Sequence, residues 1–158
     1  MKKIFLLLVL VLFMTGCSSG VTKPAKNIND FETIALNKGF IVPSENHDYD
    51  NAANITDFSK AILKSEENVQ IEKKIEMIIY SDVETADAVQ KSHIEQFDLL
   101  KSTGAQAKKE KGKNFYHHSM VSNNMYMISS RIDNTLIFGK IPVADKELVE
   151  SLITELGY

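Results

Sequence analysis

The stretch Phe115–Ile141, FYHHSMVSNNMYMISSRIDNTLIFGKI, decides the fold of this chain. Its three apolar runs are separated by the dipeptides Asn123-Asn124 and Asp133-Asn134. Asn and Asp tolerate the positive φ angles that tight hairpin turns require. The stretch therefore predicts a meander of three antiparallel strands, Phe115–Val121, Met125–Ile132 and Thr135–Ile141.

Helix and strand signals continue on both sides of the meander. Ile71, Ile75, Met77 and Ile79 alternate with charged residues, which indicates a half-buried strand. The preceding segment, 59–65, fits either a helix or a strand, and we favour a strand because a turn at Glu66-Glu67-Asn68 would join the two as a hairpin. The other predicted elements are a helix from Asp30 to Lys38, a short strand Phe40–Val42, a helix from Ser81 to Gly104, a basic loop from Ala105 to Lys113, and a last helix from Asp145 to Gly157.

This order, α-β-β-β-α-β-β-β-α, predicts an α+β fold with antiparallel sheets and with helices packed on one face. Two of the helices end in the same way, at Gly39-Phe40 and at Gly157-Tyr158. The likeness fits either a duplicated α-β-β-β unit or ordinary helix-stop chemistry, in which the aromatic residue folds back on the last turn.

The amino terminus, MKKIFLLLVLVLFMTGC over residues 1–17, has two lysines followed by the apolar run Ile4–Met14. The run is shorter than the roughly 20 apolar residues that cross a bilayer core, and its length matches that of a signal-peptide core. The segment Met14-Thr15-Gly16-Cys17 resembles the lipobox of bacterial lipoprotein (type II) signal peptides. The resemblance implies cleavage before Cys17 and a lipid on its sulfur, so we expect a membrane-anchored chain that faces outside the cytoplasm.

The lipobox divides the chain into three parts. Residues 1–16 are the expected signal peptide, residues 17–28 the lipidated cysteine with a flexible polar tether, and residues 29–158 a single α+β domain. The segments Ser130–Phe138 and Glu155–Tyr158, together with the first helix and the strand around Ile75, also resemble small lipoproteins from Gram-positive anaerobes. That resemblance implies a class and a location and carries no activity.

Charge and cysteine content narrow the possible functions. The chain has a formal net charge of −3, and loss of Lys2 and Lys3 with the signal peptide leaves −5. An acidic domain argues against nucleic-acid binding, which requires a basic face. Because Cys17 is the single cysteine and is expected to carry lipid, the domain has none for a disulfide, a thiolate nucleophile or a cysteine-ligated zinc ion.

Motifs for catalysis, metals and cofactors do not occur in the sequence. It contains no Gly-x-Ser-x-Gly elbow, and its glycines are scattered instead of gathered in a phosphate-binding loop. The segment 48–51 begins like a calcium loop, but Ala52 and Ala53 replace a ligand and the required glycine. We therefore expect a protein that is not an enzyme and that has no cofactor and no metal.

The histidines give no metal pattern either. His117 and His118 are neighbours in a strand, so their side chains point to opposite faces of the sheet. His93 lies in the apolar stripe of a helix, where it is either a hydrogen-bonded core histidine or a ligand-binding or pH-sensing one.

Two sets of residues are candidates for binding. Met125 and Met127 share one face of the meander and Tyr126 lies on the other, so an uncovered sheet face would expose an adaptable methionine and tyrosine patch. The second set is a basic cluster, which is either a solvated loop or a contact with anionic head groups or cell-wall polymer at about 1 kcal/mol per lysine. Its members are Lys108, Lys109, Lys111 and Lys113.

Together these features predict a non-catalytic binding module at the cell envelope, engaged by a protein or peptide partner. One version is an immunity-like lipoprotein that intercepts a bacteriocin. The alternative is a small-molecule-binding or accessory component of an envelope transporter, which a pocket in the domain would favour.

Overall fold

Six strands form one antiparallel sheet in the part of the chain that the structure describes. The computed structural model describes residues 20–45, 48–49, 52–63 and 73–158; the signal peptide, Cys17 and the turn Glu66-Glu67-Asn68 lie outside them. The elements are α1 (Ile28–Asn37), β1 (Ile55–Ile62), β2 (Lys74–Tyr80), α2 (Val83–Leu99), β3 (Gln106–Lys111), β4 (Phe115–Ser122), β5 (Met125–Ile132), β6 (Thr135–Pro142), a short 3-10 turn (Val143–Asp145) and α3 (Lys146–Leu156). The strand order is β1-β2-β6-β5-β4-β3.

The meander forms as the sequence predicts. β4 pairs with β5 from Ser122↔Met125 onward, and β5 pairs with β6 from Ile132↔Thr135 onward. Three turn residues adopt the left-handed conformation, Asn123 at φ 51°, Asn124 at φ 59° and Asp133 at φ 49°. The choice of Asn and Asp at these positions thus fixes the register of both hairpins.

The helix ends follow the helix-stop chemistry. Gly157 has φ 86°, and the Tyr158 N–H donates to the Ile153 carbonyl at 3.0 Å, which folds the tyrosine back onto the sheet. Gly39 has φ 84°, and the Phe40 N–H donates in the same way to the Ala35 carbonyl at 3.0 Å. Left-handed φ at these positions is adopted readily only by glycine.

The short strand expected at Phe40–Val42 is reduced to a single bridge. Ile41 exchanges two backbone hydrogen bonds with Ile62, at 2.9 and 2.8 Å. Phe40 is committed to the end of α1, and Pro43 has no N–H to continue a ladder. The segment therefore covers part of the β1 edge without becoming a seventh strand.

The basic segment that we expect to be a loop is instead an edge strand, β3. It pairs with β4 from Gln106↔Val121 to Lys111↔Tyr116. All six of its residues are exposed, so no apolar alternation marks it in the sequence. Lysines are common on such edges because they discourage pairing with another chain.

Helices cover both faces of the sheet. α1 and α3 pack on one face, the α3 face, against a core that includes Tyr126, Ile128 and Ile132. α2 packs on the opposite face, the α2 face, where Phe97 contacts Met120 and Met127. The α+β class is confirmed, but the placement of α2 differs from the expected single covered face. Both sets of alternating side chains in the meander are largely apolar, so both faces need a cover.

The expected methionine and tyrosine patch is wrong as an exposed surface. Met127 lies under α2 and Tyr126 under α3, each 1% exposed. Only Met125, at the end of β5, is partly exposed. Met127 and Tyr126 therefore do not form an open surface for a protein partner.

We expect Met127→Ala to lower the free energy of unfolding by about 2–5 kcal/mol, because it removes a fully buried side chain and leaves a cavity. Met125→Ala, two residues away on the same face, should cost less than about 1 kcal/mol. Urea denaturation of both variants measures the difference. Equal losses would contradict the burial of Met127.

Candidate functional site

A polar groove lies on the α3 face, between α3 and the strands β3 and β4. It consists of two adjoining cavities of about 140 and 210 Å³ that share the residues Lys108, Tyr126 and Glu150. Its remaining polar lining includes Glu110, His117, Ser119, Lys146, Thr154 and Tyr158. β3 is the edge strand on this side of the sheet and all of its residues are exposed, so α3 leaves it uncovered.

His117 forms part of the groove wall and is neutral at physiological pH. Its Nδ1 lies 3.2 Å from the Ser130 Oγ, and its Nε2 lies 3.3 Å from the Ser119 Oγ. Burial lowers the pKa of His117 to about 4, and the nearby Lys108 ammonium contributes to this shift. Ser130 lies opposite His117 on β5 and Ser119 two positions along β4, so strand register alone assembles the cluster.

Two tyrosine hydroxyls are buried in the groove, those of Tyr126 and Tyr158, and neither makes a hydrogen bond of standard geometry with the described residues. The Ser119 hydroxyl and the Glu150 carboxylate lie near the first, and the Thr135 hydroxyl lies near the second. Burial raises the pKa of Tyr126; the neighbouring Ser119 hydroxyl opposes this change and the Glu150 carboxylate adds to it. Burial also raises the pKa of Tyr158. Both phenols therefore remain protonated and keep a hydroxyl hydrogen to donate.

The charges along the groove are mostly paired. The Lys146 Nζ lies 2.9 Å from the Glu150 Oε2, and the Lys23 Nζ lies 3.5 Å from the Glu110 Oε1. Among the described residues, Lys108 has no ion-pair partner. The groove thus presents one uncompensated ammonium group beside two phenol donors.

A second histidine cluster lies on the α2 face and is packed into the core. His93 stacks on Phe138 with ring centroids 3.9 Å apart, and its Nδ1 is 3.4 Å from the Ser129 Oγ. Burial lowers the pKa of His93 to about 4. His118 is 1% exposed, and neither ring nitrogen has a hydrogen-bond partner within the described ranges. The geometry favours the core interpretation of His93.

The sequence predictions and the groove overlap only in part. Of the candidate residues, Lys108 and Tyr126 line it, whereas Lys109, Lys111 and Lys113 do not. Tyr158 and Glu150 also line the groove, although the sequence alone does not indicate them as candidates. The i, i+4, i+8 spacing of Lys146, Glu150 and Thr154 along one helix stripe is the signal that could have indicated the α3 wall.

The described residues contain no group of three or more His, Cys, Asp or Glu side chains placed to hold a metal ion. Across the same ranges, none of the helices is both long enough and apolar enough to cross a membrane.

Comparison with protein families assigns the amino-terminal segment. Residues 1–18 match the model of the prokaryotic membrane lipoprotein lipid attachment site. The chain is a prokaryotic lipoprotein. Searches of curated proteins and of solved structures gave no match. The expectation of a lipobox at Met14–Cys17 is confirmed, and the lipid on Cys17 holds the protein at the membrane.

The lipoprotein's tether is attached to the domain where the structure describes it. The Lys113 N–H donates to the Val21 carbonyl at 3.0 Å, the Lys23 N–H donates to the Asn114 Oδ1 at 3.0 Å, and the Asn114 Nδ2 donates back to the Lys23 carbonyl at 2.8 Å. The Lys23 Nζ also lies 4.3 Å above the Phe115 ring. The tether of residues 17–28, which we expect to be flexible, thus makes hydrogen bonds with the turn between β3 and β4 at Val21 and Lys23.

We expect the lipoprotein to lose stability as the pH falls from about 6.5 to 4. The pKa values of His93, His117 and His118 are all lowered by burial. In this pH range these histidines become protonated in the unfolded chain but stay neutral in the folded chain, so protonation favours unfolding. For His117 alone the shift corresponds to a loss on the order of 3 kcal/mol. Asp82 and Asp87 have lowered pKa values as well, and the loss of stability caused by their protonation occurs at lower pH.

Urea denaturation at pH 7.5, 6 and 5 measures this loss, and His117→Gln should flatten it. His47→Gln is the control, because it leaves the three buried rings in place. A free energy of unfolding that stays constant from pH 7.5 to 5 would contradict the buried neutral state of the histidines.

We also expect Tyr126→Phe and Tyr158→Phe to leave the free energy of unfolding unchanged or to raise it. Removal of a satisfied hydroxyl usually costs about 0.5–1.5 kcal/mol, whereas removal of an unpaired one costs nothing. Ser122→Ala is the matched control and should destabilise, because the Ser122 hydroxyl donates to the Leu100 carbonyl at 2.9 Å and accepts from the Ser102 N–H at 2.9 Å. Thermal unfolding compares the three, and a loss of 1 kcal/mol or more in a tyrosine variant would show that its hydroxyl is already bonded.

Proposed function

We propose that the lipoprotein is an outward-facing, non-catalytic binding module at the cell envelope, and that the polar groove binds a carboxylate group. The observation that carries this proposal is the pair of buried phenols, Tyr126 and Tyr158, that line the groove beside Lys108 and make no hydrogen bond of standard geometry with the described residues. Buried polar groups are rarely left unpaired in folded proteins. A bound acceptor would satisfy both.

The donor set favours an anionic acceptor. Lys108 supplies a positive charge without a competing ion pair in the described part of the chain, and the two phenols supply neutral donors beside it. Hydrogen bonds from such donors to a carboxylate are charge-assisted and stronger than neutral ones. Glu110 and Glu150 are held by Lys23 and Lys146, which reduces their repulsion of an anion.

The size of the groove limits the ligand to a small group. Cavities of about 140 and 210 Å³ are smaller than the roughly 300–1,000 Å³ of sites for drug-sized ligands. A free carboxylate of amino-acid size fits this limit, and so does the carboxyl terminus of a peptide. The first version corresponds to a ligand-binding accessory of a transporter, and the second to a peptide-directed role such as immunity.

The arrangement of His117 supports a binding role over catalysis. Both of its ring nitrogens face serine hydroxyls, Ser119 and Ser130, so no carboxylate orients the ring as in a nucleophile–base–acid triad.

The test is ligand-induced stabilisation of the mature lipidated protein in detergent micelles. We expect amino acids or peptides with a free carboxyl terminus to raise the free energy of unfolding, by roughly 2.7 kcal/mol at 100 times the Kd. The same compounds with an amidated carboxyl group should have no effect. Stabilisation by free amino acids supports the small-molecule version, and stabilisation by peptides alone supports the peptide version.

Matched variants locate the effect. Lys108→Gln should abolish the stabilisation, whereas Lys109→Gln, the next residue on the opposite face of β3, should preserve it. If no carboxylate stabilises the protein, or if the amides act equally well, then the groove does not recognise a carboxylate.

A further inference from the structure

The attachment of the tether to the turn between β3 and β4 fixes where the lipid anchor can lie. Three backbone or side-chain hydrogen bonds, of 2.8–3.0 Å, hold Val21 and Lys23 to Lys113 and Asn114. Cys17 lies four residues before Val21. A chain of four residues spans at most about 14 Å. The Cys17 backbone must therefore lie within that distance of Val21, and the acylated sulfur at most one side-chain length further, so the anchor lies close to this turn.

The same end of the domain carries the basic cluster. Lys109 and Lys111 on β3 and Lys113 in the turn are all exposed. Two carboxylates also lie at this end: Glu110 pairs with Lys23 at 3.5 Å, and Asp133 accepts a hydrogen bond from the neutral Asn114 Nδ2 at 2.9 Å and keeps its negative charge. Four lysines (Lys23, Lys109, Lys111 and Lys113) against these two carboxylates leave a net charge of +2 at this end, although the domain as a whole is acidic.

We infer that the outer edge of β3, defined by Lys109, Lys111 and Lys113, is the membrane-facing surface of the protein and contacts anionic lipid head groups. The anchor brings these ammonium groups to within about one or two Debye lengths of the bilayer surface, where attraction to anionic lipid is effective. Each lysine near such a surface increases the equilibrium constant for membrane contact about five-fold. This inference rests on the lipid at Cys17 and on the attached tether, and it does not depend on the carboxylate groove.

Strand alternation keeps the two roles apart. Lys108 pairs with Ser119 and lies on the α3 face at the groove, whereas Lys109 pairs with His118 and lies on the other side of the strand. One lysine thus belongs to the groove, and its neighbours belong to the membrane edge.

Lysine acetylation followed by mass spectrometry tests the orientation on the lipidated protein itself. The protein is reconstituted into vesicles of neutral phosphatidylcholine, or of phosphatidylcholine with 30% phosphatidylglycerol (about the anionic content that gives a strong surface potential). We expect the acetylation of Lys109, Lys111 and Lys113 to be about five-fold slower, or more, in the anionic vesicles than in the neutral ones. The reference lysines are Lys101 and Lys140, which are exposed and belong to the end of the sheet remote from the β3–β4 turn, since Lys140 pairs with Met127 and Ser102 contacts Ser122. Their acetylation should not change.

Charge-matched variants test whether the protection depends on the lysines of β3 or on the tether alone. Lys109→Gln with Lys111→Gln should remove the protection of Lys113 in anionic vesicles, whereas Lys101→Gln with Lys140→Gln should leave it intact. Equal acetylation of all lysines in both vesicle types would overturn the inference. Protection that is as strong in neutral vesicles would overturn the role of charge, and protection that appears only when soluble polyphosphate is added would assign the edge to an anionic polymer instead of lipid.

Discussion

The antiparallel pairing of β2 with β6 is the contact on which the rest of the structure depends. It joins the amino-terminal hairpin to the carboxy-terminal meander through the pairs Ile75↔Gly139, Met77↔Ile137 and Ile79↔Thr135. A Cβ at position 139 would collide with the Ile75 side chain, so glycine lets the two strands approach closely at this point. Once this pairing is made, one continuous sheet exists for α1 and α3 to cover on one face and for α2 to cover on the other.

The sequence predicts those elements whose side chains carry their own periodicity. The meander, its Asn and Asp turns, and the helices with Gly at their ends all have local signals that no tertiary contact needs to override. β3 has none, because every one of its side chains is exposed and its position comes only from backbone pairing with β4. The sequence shows that this segment is rich in lysine. Which lysines lie on which face of the sheet follows only from the pairing register of β3 with β4.

The same limit applies to the candidate site. Alternation places Tyr126 on one face of the sheet from the sequence alone, but it cannot decide whether a helix covers that face. The cover determines the chemistry: under α3 the phenol becomes a buried donor, whereas on an open face it would have been a contact residue for a partner. Tyr158 lies in the site only because Gly157 turns the last residue back onto the sheet. The sequence indicates the turn, but it does not indicate which residues Tyr158 then contacts. The lipid attachment site, in contrast, is readable without any fold, because its signal is a short continuous stretch of sequence.

The groove and the anchor are linked through one tether residue, Lys23. Its ammonium group pairs with Glu110 in the groove wall, lies over the Phe115 ring at the start of β4, and contributes to the lowered pKa of His117. Its backbone is at the same time held by Asn114 in the turn nearest the lipid. A ligand anion beside Lys108 would therefore lie in the electrostatic field of a residue whose position the membrane anchor constrains. β3 is fully exposed and is the least buried strand of the sheet. It can therefore change its position with the least loss of packing. The groove and the membrane edge thus share the strand that is most able to move.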